Sequence, residues 1–181
     1  MNYTENMLVE KIRERAGDPL RFVDMPDVIN KALFNKVPPP VSLVELEIAE
    51  KKLGFQLPSL LRALYLQIGN GGFGPGYGLI GLNDKGAKNY HITLVDGYLE
   101  GITFVHPDYP PWPKQLIVIC DWGDNITSAL DWTSAQCPVY RFNGDRYAEG
   151  PFESVMELES PSLQTWLEDW LNDRPLFKLA R

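Results

Sequence analysis

The chain has 181 residues, of which 44% are hydrophobic and 12% aromatic, so its composition predicts a folded globule and excludes a wholly disordered chain. No apolar run reaches the roughly 20 residues of a membrane-spanning helix, and the first residues lack the basic start and apolar core of a signal peptide. We therefore expect a cytoplasmic protein with no membrane partner. Two cysteines are too few for a disulfide framework.

The formal net charge is −7, and the acidic excess lies in one C-terminal segment. Residues 149–173 contain seven acidic residues and no Lys or Arg, whereas the rest of the chain holds 17 acids and 17 bases. Such a surface repels nucleic acid and attracts a basic protein. A solvated face that only keeps the protein soluble is the alternative. The candidate partner-binding acids of this segment are Glu149, Glu153, Glu157 and Glu159.

The N-terminal part is expected to be helical. Residues 3–16 place Leu8, Val9 and Ile12 on one face of an amphipathic helix, and residues 25–36 have the pattern of another. The next segment, "VPPPVS", contains three consecutive prolines, which cannot continue a helix and therefore predict an extended connector. We expect residues 1–37 to form an N-terminal helical extension and residues 38–181 the main domain.

Two helices follow the connector. Ser42 and Glu45 form a capping box, and Gly54 fits the left-handed position that ends a helix. The expected buried stripe of this helix is Leu43, Leu46, Ile48, Ala49 and Leu53. Pro58 suits the first turn of the next helix. Its expected buried face is Leu60, Leu61, Leu64, Tyr65 and Ile68.

The stretch "GNGGFG", residues 69–74, fits the dinucleotide-binding pattern G-x-G-x-x-G letter for letter. That site needs a strand before the glycines and a helix after them, because the phosphate lies on the N-terminus of the following helix. Here the glycines follow a helix and precede "YGLIGL", which reads as a short strand. The pattern therefore predicts a turn from helix to sheet.

The second half of the chain predicts an antiparallel sheet. Residues 88–104 mix strand and helix signals and favour a helix, and residues 106–115 form a proline-rich loop. "LIVIC" predicts a central buried strand, "DWGDN" a hairpin turn and "ITSALDW" the return strand. "PVYRFN" and "RYAEG" suggest a second hairpin, and the final helix starts at Ser160 or Ser162. Helices, then strands, then a helix indicate an α+β fold with an antiparallel sheet flanked by helices.

No catalytic set stands out. The sequence has no G-x-S-x-G, and neither His91 nor His106 lies near a residue in the sequence that suggests a catalytic pair. Cys120 ends a buried strand, where a thiol is inert. Asp121, Asp124 and Asp131 surround one hairpin, but they lack the spacing of a calcium loop. We expect no catalytic residue, metal or cofactor. A metal-dependent hydrolase that uses these three acids is the less favoured alternative.

Trp122 lies between Asp121 and Asp124 in the hairpin turn. An exposed Trp among acids resembles a protein-binding hot spot, so these three residues are candidates for partner binding. The alternative is that the ring folds back onto the sheet.

The segment "VELEIAEKKLGFQLPSLLRALYLQIGNGG" resembles the opening of the SUKH superfamily, the cell-wall-assembly-regulator domain. "PPWPKQLIVICDWGDNITSALDW" is similar to that family's Trp-x-Pro segment, apolar strand, acidic turn and Leu-Asp ending, although Trp112 is followed directly by Pro113 where many members have Leu. The resemblance covers roughly residues 40–172. The residues that carry the family motif are Gly54, Leu57, Pro58, Tyr65, Asn70, Gly71, Gly72, Trp112, Pro113 and Asp131.

This resemblance implies a single α+β domain without known catalytic residues. Bacterial members are largely immunity proteins that neutralise polymorphic or contact-dependent toxins, often nucleases, and fungal members regulate wall synthesis through protein contacts. The expected function is therefore a non-catalytic protein-binding domain, with immunity against a basic toxin domain favoured over a regulatory or scaffold role.

Overall fold

The structure is a computed structural model that describes residues 3–18, 37–86, 92–107, 109–149 and 155–176. The helix predicted over residues 25–36, His91 and Glu153 lie outside the described residues. The helices are α1 (Tyr3–Ala16), α2 (Leu43–Leu53), α3 (Ser59–Gln67), α4 (Leu94–Thr103) and α5 (Leu163–Leu171). The strands are β1 (Leu116–Gly123), β2 (Ile126–Asp131), β3 (Val139–Asn143) and β4 (Met156–Ser160), with a 3-10 turn (Gly144–Glu149) after β3.

The four strands form an antiparallel sheet in the order β1-β2-β3-β4, which confirms the predicted α+β class. The hairpin turn between β1 and β2 is also confirmed. Its central residues, Asp124 and Asn125, have φ values of 47° and 56°. Two successive positive φ angles match the right-handed twist of a two-residue hairpin.

Two predictions about β1 and its neighbour are wrong. β1 lies at the end of the sheet rather than in its centre. The segment "YGLIGL" forms only an isolated bridge, between Leu79 and Cys120. It nevertheless covers the outer edge of β1, because Ile80 donates its N–H to Ile119 O at 2.9 Å. β1 is therefore buried like a central strand although only one regular strand pairs with it.

The predicted second hairpin is also wrong. After β3 the chain enters the 3-10 turn, where Gly144 donates its N–H to Asn125 O at 2.8 Å. On the side away from β2, β3 pairs with β4, where Tyr140 lies opposite Leu158. The β4 sequence "MELES" contains two Glu residues, which are poor strand formers. Pairing with β3, and not local propensity, makes this segment a strand.

The helix ends are largely as predicted. Ser42 Oγ accepts the Glu45 N–H at 3.2 Å, Glu45 Oε2 accepts the Ser42 N–H at 2.8 Å, and Gly54 ends α2 at φ 82°. Pro58 is the N-cap of α3, one residue before the helix begins, and Ser162 caps α5. In α2 the expected buried stripe is partly wrong, because two of its members are exposed together with a neighbouring aliphatic residue: Leu43, Val44 and Ile48.

α1 packs against α3 and α5. Its residues Leu8, Val9 and Ile12 are buried in the same apolar cluster as Trp166 and Trp170 of α5. This cluster also contains one row of the sheet, in which Ile117, Leu130 and Val139 lie opposite one another. The helices thus cover one face of the sheet, and α1 takes part in the main core. The domain border at residue 37 stays a prediction.

Candidate partner-binding site

The glycine corner after α3 is structural. Gly71 has φ 78°, and a Cβ there would lie 2.5 Å from Leu79 O, so only glycine fits. Asn70 Oδ1 accepts the Leu82 N–H at 2.7 Å, and the Asn70 N–H is donated to carbonyls of the proline connector. Gly72 also has positive φ, 77°. The corner joins α3 to the segment on the edge of β1, as the sequence predicts, and its glycines serve the turn.

The motif residues around α3 also have structural roles. Leu57 donates its N–H to Glu50 Oε1 at 2.8 Å, and Arg62 forms an ion pair with the same buried carboxylate. Tyr65 is fully buried and donates its hydroxyl to Ile80 O at 2.6 Å. Burial raises the pKa of the Tyr65 hydroxyl above its usual range. These residues connect α2, α3 and the segment on the edge of β1.

Trp122 is only 7% exposed, so the ring folds back onto the sheet and the exposed hot spot is wrong. Its Nε1–H is donated to Ser128 Oγ at 2.8 Å, and Ser128 in turn donates to Glu159 Oε2 at 2.6 Å. Glu159, whose side chain is 1% exposed, also pairs with Arg141 at 3.3 Å. Glu159 is therefore part of a buried polar network, not of the protein surface.

The remaining acidic candidates separate into buried and exposed groups. Asp121 is buried and accepts the Gly123 N–H at 2.7 Å; desolvation raises the pKa of its carboxyl. Asp124, at the hairpin turn, and Glu157, on β4, are exposed. Glu149 ends the 3-10 turn. Of the candidates named from the sequence, Asp124 and Glu157 are thus the described side chains that a partner could reach.

Three of the seven acids of the C-terminal segment are paired with arginines. Asp169 pairs with Arg174 at 2.7 Å. Asp173 pairs with Arg15 of α1 at 2.6 Å, and this hydrogen bond lowers the pKa of the Asp173 carboxyl. Glu159 has Arg141, as described above. Because Arg15 and Arg141 are distant in sequence, the charge pattern alone could not show this compensation.

No grouping typical of a metal centre occurs in the described ranges. Three or more His, Cys, Asp or Glu side chains that could hold a metal ion do not come together there. Cys120 is fully buried, and desolvation raises the pKa of its thiol. Asp131 Oδ1 accepts the N–H and the hydroxyl of Thr133, at 2.9 and 2.7 Å. Within the same ranges, no helix has the length and apolar character needed to cross a membrane.

The other face of the sheet carries an apolar row. Val118, Ala129, Tyr140 and Leu158 lie opposite one another across the four strands. Leu158, at the β4 end of this row, is 60% exposed, whereas Ala129 is fully buried. We call this side of the sheet the outer face.

Trp112 covers one part of the outer face. Its ring meets Phe142 edge-on, with centroids 5.2 Å apart, and its Nε1–H is donated to Leu116 O at 2.8 Å. Beside it lies a groove of about 230 Å³, which we call the outer groove. Its lining residues are Pro113, Gln115, Leu116, Asp131, Tyr140, Met156 and Leu158. The sequence could not show the outer groove because one of its walls, β4, was not predicted.

The elements from α2 to α5, with the helix-to-sheet corner and the Trp112-Pro113 loop, agree with the order of motifs found in the sequence. The chain matches the SMI1 / KNR4 family (SUKH-1) over residues 40–169. It belongs to this family. The match extends over α2 to most of α5, well over half of the chain, and leaves α1 outside. No curated protein matched the chain. SUKH-1 domains are generally non-catalytic binding domains, so the family points to contacts with another protein.

Proposed function

We propose that this SUKH-1 domain is an immunity protein, which binds a toxin domain and neutralises it without catalysis. The observation that carries the proposal is membership of the SUKH-1 family. The motif residues at the glycine corner and around α3 serve the fold, which is compatible with a domain that acts through its surface.

We further propose that the toxin domain is basic. The whole chain carries a formal charge of −7. Two of its exposed acids are Asp124 in the β1–β2 turn and Asp145 in the 3-10 turn. Asn125, next to Asp124, donates its amide to Asp145 Oδ1 at 2.6 Å. A field of this sign accelerates the encounter with a basic protein, and salt screens it. Many toxin nucleases need a basic surface to hold nucleic acid. That basic surface of the toxin would also attract this acidic chain.

The mechanism in this proposal is occlusion. A specific protein–protein interface covers about 800 Å² on each partner, and a bound domain of this size would block the approach of a nucleic-acid substrate. The toxin would keep its fold and its catalytic groups but lose access to the substrate. Inhibition should therefore be stoichiometric and reversible.

A pull-down with the full chain as bait, at low and high salt with mass spectrometry as readout, identifies the partner. The identified protein is then assayed alone and with equimolar immunity protein. Loss of its toxic activity on addition of the chain, with tighter binding at low salt, is the expected result. A partner from wall synthesis or signalling, whose activity the chain adjusts but does not block, would overturn immunity in favour of the regulatory role.

A further inference from the structure

The outer groove is the described surface that best fits a chemically defined partner group. Its walls are mostly apolar, and Leu116, Met156 and Leu158 supply aliphatic or thioether surface. Asp131 adds a carboxylate, and no Lys or Arg is among the described residues that line the groove. An apolar groove with one acid and no base suits a side chain that has a long aliphatic stem and a positive end.

Asp131 can accept a bond from such a cation. Its Oδ1 is occupied by the N–H and hydroxyl of Thr133, which fix the orientation of the carboxylate. A charged donor from a partner can then approach a carboxylate that is already held in place, which reduces the ordering cost of binding. One oriented carboxylate is enough to pair with a single cationic side chain, Lys or Arg.

The size of the groove indicates an extended segment. Asp131 is on β2 and Leu158 is on β4, so two strand spacings, about 10 Å, separate their strands. Three or four residues of extended chain span that distance. One cationic side chain at Asp131 and one apolar side chain at Leu158 would occupy both ends of the groove.

We propose that the outer groove binds an extended segment of the partner, with a Lys or Arg side chain on Asp131 and an apolar side chain on Leu158. The proposal rests on the proposed function for the basic character of the partner. The carboxylate of Asp131 in the groove favours this occupant over a second copy of the chain, because each copy carries a net charge of −7.

The exposed apolar face of α2 fits this occupant less well. Leu43, Val44 and Ile48 are exposed there beside Glu47, but Lys51 and Lys52 in the last turn of α2 offset the charge of that acid. α2 therefore provides an internal control: a probe that binds by charge and apolar contact at the outer groove should leave Val44 unaffected.

The test is an NMR titration of the full chain, with methyl signals of Met156, Leu158 and Val44 followed while N-acetyl-arginine amide is added. We expect saturable shifts at Met156 and Leu158 in the millimolar range and no saturable shift at Val44. N-acetyl-norleucine amide, an uncharged probe with a similar stem, should bind about fivefold more weakly, the size expected for one exposed charge pair.

Two variants make the test specific. Asp131→Asn keeps the oxygen that accepts from Thr133 and removes the charge, so it should remove the preference for arginine and leave the norleucine affinity unchanged. Leu158→Ser should weaken both probes. Absence of a saturable shift at the groove, an equal shift at Val44, or an Asp131→Asn protein that still prefers arginine overturns the proposal.

The same two variants separate this proposal from the proposed function. In the pull-down partner's binding assay, Asp131→Asn and Leu158→Ser should each raise the Kd at least fivefold. A toxin that binds both variants as tightly as the parent chain would leave immunity in place and overturn the role of the outer groove. If the groove binds arginine but the chain neutralises no toxin, the role of the groove stands and immunity is overturned.

Discussion

Ser128→Ala tests the buried polar network that links three parts of the sheet. Ser128 is fully buried, accepts from Trp122 and donates to Glu159. Removing its hydroxyl leaves the indole N–H without its acceptor and takes one donor from a carboxylate whose side chain is 1% exposed. Each buried polar group that loses its partner costs about 1–3 kcal/mol, so we expect a total loss of roughly 2–4 kcal/mol in the free energy of unfolding.

Urea unfolding followed by circular dichroism measures this loss. With a slope of about 2 kcal/mol/M, the midpoint should fall by roughly 1–2 M while the slope is unchanged. Ser59→Ala is the matched control, because Ser59 is exposed and makes one 3.3 Å bond to Glu5; it should change stability by less than about 0.5 kcal/mol.

A double-mutant cycle with Trp122→Phe makes the test specific to the bond. Phe keeps much of the ring and lacks the N–H, so the two substitutions should couple by about 1 kcal/mol or more. If Ser128→Ala costs no more than the Ser59 control, or if the two changes are simply additive, the reasoning about this network is refuted.

Three further predictions follow from single sites. Gly71→Ala should destabilise the chain by several kcal/mol in urea unfolding, because its Cβ would meet Leu79 O at 2.5 Å, whereas Gly54→Ala, with a similar φ but no atom within 4 Å, should cost only about 1 kcal/mol. Cys120 should react with a thiol reagent only as fast as the chain unfolds, since its thiol is buried and its pKa is raised; fast labelling in native buffer would contradict this. A hydrogen bond from Lys85, together with those from the Ser42 N–H and hydroxyl, lowers the pKa of the Glu45 carboxyl to about 2 from 4.5. The stabilisation from a depressed carboxyl pKa is present above the unfolded value and lost as the pH falls toward 2, so Lys85→Met should return the NMR-measured Glu45 pKa toward 4.5 and reduce that loss.

Local signals predicted the parts of the fold that depend on neighbouring residues. The capping box of α2, its glycine end and the β1–β2 turn each involve residues a few positions apart, and all three are confirmed. The α+β class follows from the order of such elements. In these cases the hydrogen bond or positive φ that forms the cap or turn involves residues within the same short stretch of sequence.

The features that were missed depend on contacts between distant residues. β4 is a strand because β3 pairs with it, and its own sequence favours no strand. Trp122 is buried because its ring packs on the sheet and its indole N–H is donated to Ser128. The carboxylate of Asp173 pairs with Arg15, which is 158 residues away. The outer groove combines residues from β1, β2, β3 and β4, so none of its properties could be read from a single segment.

The position of α1 has a consequence for where this protein can be cut. α1 precedes the range that matches the family, yet it buries Leu8, Val9 and Ile12 against α3 and α5. The Arg15 guanidinium lies 4.9 Å above the Trp170 ring and also holds Asp173 beyond the end of α5. A chain trimmed to residues 40–169 would leave the surface under α1 bare to water and invite aggregation. In this protein the range that matches the family is therefore shorter than the packed core, which includes α1.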